Sequence, residues 1–220
     1  MLADIPDTVT FAQAATLPVA GLTALYALEQ GGFLLNRKVL VTGASGGVGH
    51  FACQLAHLAG ATVIACVRRA ERVAEAEDLG VDEVIIGEDL SLAHRSGPYH
   101  LIIDVPGGSA LATALTLLAP GGLCINIGAA ASPEVTFQVR YHSVFTGGFT
   151  LSGFFLPAEV QRRRGATQEL QYLAQLVARG RLRPQIGVQA PWTEVAEVVE
   201  RLLNRHIAGK AVLHISRVAQ

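Results

Sequence analysis

The chain has 220 residues, 50% of them hydrophobic and 16% charged, enough apolar matter for a sizeable core and too little charge for a disordered chain. Seventeen basic against eighteen acidic side chains give a formal net charge of -1, so no cationic surplus is available to hold a nucleic-acid backbone, and that class of partner is excluded from the expectation. With 23 glycines and 9 prolines, the chain has many short connections, as a compact α/β fold requires.

The opening residues Met1-Leu2-Ala3-Asp4-Ile5-Pro6-Asp7 lack a basic stretch followed by an apolar one and do not read as a secretory signal, so the expected location is the cytoplasm. The apolar segment Ala14 to Leu28 is interrupted by Thr16, Pro18, Gly21 and Thr23. It falls short of the ~20 residues of a membrane span and reads as a buried helix, with no membrane partner. From about residue 38 to residue 155, apolar runs of strand length alternate with longer stretches of helical period, which implies βαβ units and a parallel sheet. Val39-Leu40-Val41 is the first strand, followed by a glycine-rich turn and a helix marked by Phe51, Leu55 and Leu58. The second strand is Val63 to Val67, the second helix Ala70 to Leu79 closed by Gly80, the third strand Glu83 to Ile86 and the fourth Leu101 to Asp104. A helix from Ser109 to Leu118, capped by Ser109 and stopped by Pro120-Gly121-Gly122, leads to a fifth strand, Leu123 to Ile127. Phe149 to Phe154 reads as a sixth strand at an edge. Beyond it come a helix at Thr167 to Ala178, a short strand at Gln185 to Gln189, a helix at Thr193 to Asn204 and a last strand at Ala211 to Ile215. The run Arg162-Arg163-Arg164 reads as a solvated helix face. Cys53, Cys66 and Cys124 are odd in number, far apart and set in apolar runs, so they read as core thiols.

The chemistry is concentrated in Thr42-Gly43-Ala44-Ser45-Gly46-Gly47-Val48-Gly49, directly after the first strand and opening a helix. A dinucleotide pyrophosphate needs a tight turn, bare backbone at closest approach and helix N-terminal N–H groups aimed at its charge. Other glycine-loop binders make demands that this chain does not meet. The P-loop needs Lys-Ser/Thr after the last glycine, where His50-Phe51 stand. The short-chain dehydrogenases match the glycines but need Tyr-x-x-x-Lys, and Tyr26, Tyr99, Tyr141 and Tyr172 are followed four places on by Gln30, Ile103, Phe145 and Leu176. At the end of the second strand stand Arg68-Arg69, with Arg72 one turn on. Arginine there accommodates the extra phosphate of NADP, where a carboxylate would hold the ribose diol of NAD, so NADPH is the expected cofactor.

The run Thr16-Leu17-Pro18-Val19-Ala20-Gly21-Leu22-Thr23-Ala24, the glycine loop and the closing Gly209-Lys210-Ala211-Val212-Leu213 resemble the medium-chain dehydrogenase/reductases, nearest to the zinc-free quinone oxidoreductases related to zeta-crystallin. The resemblance implies an α/β, Rossmann-type doubly wound parallel sheet of about six strands with helices on both faces. It divides the chain into linking helices over 1–36, a cofactor domain over 37–180 and a closing segment over 181–220. It also implies an NADPH-dependent oxidoreductase acting on a quinone, enone or carbonyl substrate, the alternative being a cofactor-binding module without turnover. Thr23 would lie near the nicotinamide end, Gly46, Gly47 and Val48 beneath the pyrophosphate, and Arg68 and Arg72 at the adenosine phosphate. Gly128 and Ala129, with Phe154 and Phe155, would border the nicotinamide pocket. A homodimer through the edge strand 149–154 is implied as well, and no charged residue interrupts Phe149 to Phe155 to discourage it. Family members begin with a catalytic domain, and here the chain opens at what reads as the linking helices. Thr193 to Ile215 would pack with that part. No residue is nominated as catalytic. No metal is expected, because His50, His57, His94, His100, His142, His206 and His214 form no ligand cluster with a cysteine or carboxylate.

Overall fold

The computed structural model describes residues 2–87, 90–138 and 147–215. A short helix α1 (Phe11–Ala15), closed at its start by a reciprocal Thr10–Gln13 cap, leads through a π-helical turn at Leu17–Gly21 into α2 (Leu22–Gln30). The expected single buried helix over Ala14 to Leu28 is therefore broken. Pro18 has no N–H to donate and its ring clashes with the preceding turn, and the wider π turn absorbs both defects.

Then β1 (Lys38–Thr42), α3 (Gly47–Leu58), β2 (Thr62–Val67), α4 (Val73–Glu77), β3 (Glu83–Ile86) and β4 (Tyr99–Asp104) follow. Next come α5 (Gly108–Thr116), β5 (Leu118–Asn126), β6 (Phe149–Gly153), α6 (Leu156–Arg163) and α7 (Thr167–Ala178). Strands β1 to β6 form one parallel sheet in the order β3-β2-β1-β4-β5-β6, as the alternating pattern predicts.

Alternate strand residues feed two cores. Val39, Val41, Val63, Ala65, Leu101 and Ile103 pack under α2, α3 and α7, while Leu40, Ile64, Ile85, Ile102 and Cys124 pack under α5. Both faces are covered, which is why the strands read as continuous apolar runs and not as alternations. The three cysteines are buried and form no disulfide, and burial pushes the Cys53 thiol up to about 12.

Four expectations are corrected in detail. The helix over Ala70 to Leu79 is a 3-10 turn, Ala70–Arg72, followed by the short α4. Helix α5 begins at Gly108 behind Gly107, whose φ of 69° suits glycine, and Ser109 makes no cap bond. Strand β5 begins at Leu118, five residues before the expected Leu123, and carries Pro120-Gly121-Gly122 within it. A register shift opposite Tyr99/Leu101 makes room for this irregular stretch. In the run Arg162-Arg163-Arg164, Arg163 is not a solvated residue. It pairs with Glu29 at 2.7 Å and lies 4.0 Å above the Tyr26 ring, tying α6 to α2.

Beyond α7, β7 (Ile186–Pro191) and β8 (Lys210–His214) pair in parallel as a separate two-stranded sheet, joined by α8 (Val195–Leu203). His50 Nε2 stands 2.7 Å from the Arg183 carbonyl. Gln54 Nε2 donates to the same carbonyl at 3.1 Å and Gln54 Oε1 accepts from Arg183 N–H at 2.8 Å, so α3 holds the start of this segment. Among the described residues no helix is long and apolar enough to cross a membrane.

Candidate functional site

The sheet order reverses direction between β1 and β4, and an open α/β sheet binds its ligand in the crevice beyond the strand ends at such a point. A cavity of about 590 Å³ lies there. Thr42, Gly43, Ser45 and Gly46 form one wall, and Arg68, Arg69 and Arg72 another. Val105, Pro106, Ala130 and Ala131 come from the turns after β4 and β5, and Leu202, Arg205, Ile207, Ala208 and Gly209 from the end of α8 and the segment after it.

The glycine loop folds as it does for steric reasons that differ by position. Gly43 has a φ of 67°, a left-handed conformation that glycine adopts without strain. A Cβ on Gly49 would stand 2.3 Å from the Gly43 carbonyl oxygen, so only glycine lets α3 start this close to β1. Gly46 is the N-cap of α3 and brings no side chain to cap it. The first N–H groups of α3 are left to whatever anion or water faces them. Lys210 of β8 lies over this end, its Cδ 2.6 Å from where a Cβ on Gly47 would be.

Four guanidinium groups border the other end, and among the described lining residues there is no aspartate, glutamate or histidine. Arg69 Nη2 donates to the Arg205 carbonyl at 3.2 Å, and Arg205 Nη2 donates to the Ala130 carbonyl at 3.4 Å. Arg205 thus closes the cavity across from the strand ends. Cys66 also lines it, its thiol donating to the Gly87 carbonyl at 3.3 Å.

Of the residues singled out in the sequence, Gly46, Arg68 and Arg72 line the cavity. Gly47 and Val48 are the first two residues of α3 behind Gly46, Gly47 under Lys210 and Val48 packed against the core. Gly128 and Ala129 lie next to Gly107, whose missing Cβ leaves room for them, and the lining passes instead to Ala130 and Ala131. Thr23 is buried within α2, Phe154 is buried in the core and donates its N–H to Asn126 O at 2.8 Å, and Phe155 is exposed at the start of α6. None of these three lines the cavity. Arg205 and Lys210 were missed as site residues. They lie more than 130 residues from Arg68; Gly209-Lys210 belongs to a run that carries the family resemblance, but that run by itself gives neither residue a place beside the glycine loop. Asp104 had a readable signal, an acid ending an apolar strand. Burial holds its carboxyl above the usual range, against the donors Thr42, Asn126 and Gly107 that favour the charged form.

Among the described residues no three of His, Cys, Asp and Glu come together as metal ligands; His142 lies outside the described residues. His100 sits below the usual histidine range because of its burial and its neighbours Arg37 and Lys38, and its Nδ1 accepts the Lys38 N–H at 3.1 Å. It serves the strand ends opposite the cavity.

Three comparisons place this geometry among known proteins. The family described as zinc-binding dehydrogenase matches residues 47–178. The chloroplast envelope quinone oxidoreductase homolog of Arabidopsis thaliana is 30% identical over 218 residues, covering 94% of this chain and 63% of that protein. The alcohol dehydrogenase of Geobacillus stearothermophilus is 26% identical over 216 residues, covering 96% of this chain and 60% of that protein. Among solved structures, the quinone oxidoreductase of Thermus thermophilus, determined alone and with NADPH, superposes with a TM-score of 0.83 at 29% identity, covering 96% of this chain and 70% of that one. The chain therefore spans less than two thirds of the length of these two sequence relatives.

Proposed function

Since the chain belongs to the zinc-binding dehydrogenase family, as the nicotinamide-nucleotide-binding part of a medium-chain dehydrogenase/reductase, we propose that it binds NADPH across the carboxyl ends of its sheet and supports hydride transfer to a quinone, enone or other carbonyl compound. The observation that carries this reading is the arginine end of the cavity, where Arg68, Arg69, Arg72 and Arg205 converge without a carboxylate among the described lining residues. A guanidinium offers a planar charged fork to a phosphate dianion, whereas the bare ribose of NADH gives it nothing of comparable strength to bind.

The other features fit the same molecule. The uncapped N-terminus of α3 suits a pyrophosphate, with the Lys210 side chain lying over Gly47 beside it, and the turns after β4 and β5 are left for the nicotinamide half. A bound nicotinamide supplies the hydride. The residues of this chain orient it, screen one side of it from water and neutralise its phosphates. Zinc, which the family's description names, finds no ligand trio among the described residues.

The relevant experiment is a fluorescence titration of the unmodified chain with NADPH and with NADH. NADPH should bind at least about tenfold more tightly, since a hydrogen bond to a charged group contributes about 1.5–3 kcal/mol and about 1.4 kcal/mol is tenfold. Arg68→Asp should narrow or reverse the preference. Equal affinities of the unmodified chain for the two nucleotides would sink the proposal. A second reading is a cofactor-binding module without turnover. Oxidation of NADPH in the presence of 1,4-benzoquinone separates the two: turnover supports the enzyme, and binding without turnover supports the module.

A further inference from the structure

Asp104 is the last residue of β4 and is fully shielded from solvent. A buried carboxylate is costly unless it is hydrogen-bonded, and this one gathers donors from three segments. Its Oδ1 accepts the Thr42 hydroxyl at 2.8 Å, at the end of β1. Its Oδ2 accepts the Gly107 N–H at 3.0 Å and the Asn126 amide at 2.8 Å, at the end of β5. The same Asn126 Nδ2 donates to the Gly128 carbonyl at 2.9 Å, and the Val105 N–H donates to Thr42 Oγ1 at 3.3 Å. A single side chain thereby ties together the turns that follow β1, β4 and β5.

Those turns stack without slack. A Cβ on Gly128 would stand 2.4 Å from the Val105 carbonyl oxygen, and one on Gly107 would stand 2.8 Å from the Gly128 carbonyl oxygen. The Ala131 N–H donates to the Pro106 carbonyl at 2.8 Å. Val105, Pro106 and Ala131 line the cavity while Asp104 itself does not, so the carboxylate sits behind the wall and sets its shape. Sheet order fixes what rests on that wall. With the arginines beyond β2 and the uncapped helix after β1, a dinucleotide can extend its other half only across the ends of β4 and β5.

We infer that Asp104, through Asn126, is a positioning residue that holds the turns after β4 and β5 at the height the nicotinamide half of the cofactor requires, without touching the cofactor. This rests on the cofactor reading given above. It concerns one half of the ligand, and the halves can be probed separately by titrating the full chain with NADPH and with adenosine 2′-monophosphate, which carries only the arginine-facing end. Asn126→Ala removes the bridge from Asp104 to Gly128 and is expected to raise the NADPH Kd about tenfold while moving the adenosine 2′-monophosphate Kd less than about twofold. Asp104→Asn is expected to stay within about threefold for both ligands, because its oxygen still accepts from Gly107 and Asn126 while its amide donates to Thr42; Asp104→Ala strands those donors and is expected to lose NADPH selectively.

Equal weakening of both ligands, or an unchanged NADPH affinity in Asn126→Ala, overturns the assignment. If the unmodified chain binds NADPH no better than adenosine 2′-monophosphate, the network positions nothing and the inference alone fails. If it binds neither, the cofactor reading fails and the inference with it.

Discussion

Gly46 and Gly49 stand three residues apart in the same loop and are glycine for different reasons. A Cβ on Gly49 would press on the Gly43–Ala44 peptide backbone, at 2.3 Å from Gly43 O, 2.8 Å from Ala44 Cα and 2.9 Å from Gly43 C. None of those atoms can rotate away. At Gly46 a Cβ would meet, among the described residues and within 4 Å, Gly43 O at 3.2 Å, a contact that a shift of a few tenths of an ångström relieves, and the residue lines the cavity. The two positions therefore separate fold from binding. Gly49→Ala is expected to lower stability by about 1–3 kcal/mol, the usual cost of overpacking, read as a lower midpoint in urea unfolding. Gly46→Val is expected to keep the unfolding midpoint close to that of the unmodified chain and to abolish detectable NADPH binding. A Gly46→Val variant with unchanged affinity would place the pyrophosphate elsewhere. The sequence pattern shows four glycines in this loop without saying which serve the chain and which serve the ligand, because that difference lies in contacts with Gly43 and Ala44 backbone that only the folded loop brings together.

At the scale of elements, β6 is the most exposed consequence of the topology. It pairs on one side with β5 and ends the sheet, with Leu151 39% exposed and its outer backbone groups facing away from the sheet. An open apolar edge invites a second chain, and a two-fold axis lets β6 meet its own copy and continue the sheet. Sedimentation at micromolar concentration is expected to show a dimer, and Leu151→Pro, which removes a ladder donor, to shift it toward monomer; a monomer for the unmodified chain counts against this interface. The strand itself was legible because β-branched and aromatic residues sit between glycines, and the same holds for β1 to β4, whose apolar runs are short and sharply bounded. Less legible were elements decided by competition. Strand β5 crosses Pro120-Gly121-Gly122, normally a stop signal, as a bulge: Leu118 pairs with Tyr99, and the ladder resumes at Gly122 opposite Phe149 and at Leu123 opposite Leu101. Helix α5 takes its start from Gly107, whose N–H is held by Asp104, and not from Ser109. Helix α4 is short because its predicted first turn, Ala70–Arg72, winds as 3-10 and leaves Arg72 lining the cavity.

Taken whole, the molecule is nearly neutral, with a net charge of -1, yet it concentrates Arg68, Arg69, Arg72 and Arg205 around one cavity, with Lys210 over the adjoining start of α3. Attraction of an anion here is a local effect of the cleft and not of the overall charge, since a lined cavity with low-dielectric walls focuses the field of its own charges. Two of the five cations come from the chain after α8, Arg205 from the turn before β8 and Lys210 from its first residue, and β8 pairs with β7 apart from the six-stranded sheet, which is why sequence reading recovered the arginines near β2 and missed Arg205 and Lys210. Added salt screens partly exposed charges over a Debye length of about 8–10 Å near physiological ionic strength. NADPH affinity is therefore expected to fall steadily as salt is raised, despite the neutral chain. In the double variant Arg205→Ala/Lys210→Ala the affinity should be weaker at low salt and its salt dependence shallower, because two of the charges being screened are gone. Isothermal titration at a series of salt concentrations reads both quantities. A salt-independent affinity for the unmodified chain, or a double variant with the same slope, would mean that the closing segment contributes no charge to the bound phosphates and that the site is confined to the six-stranded sheet.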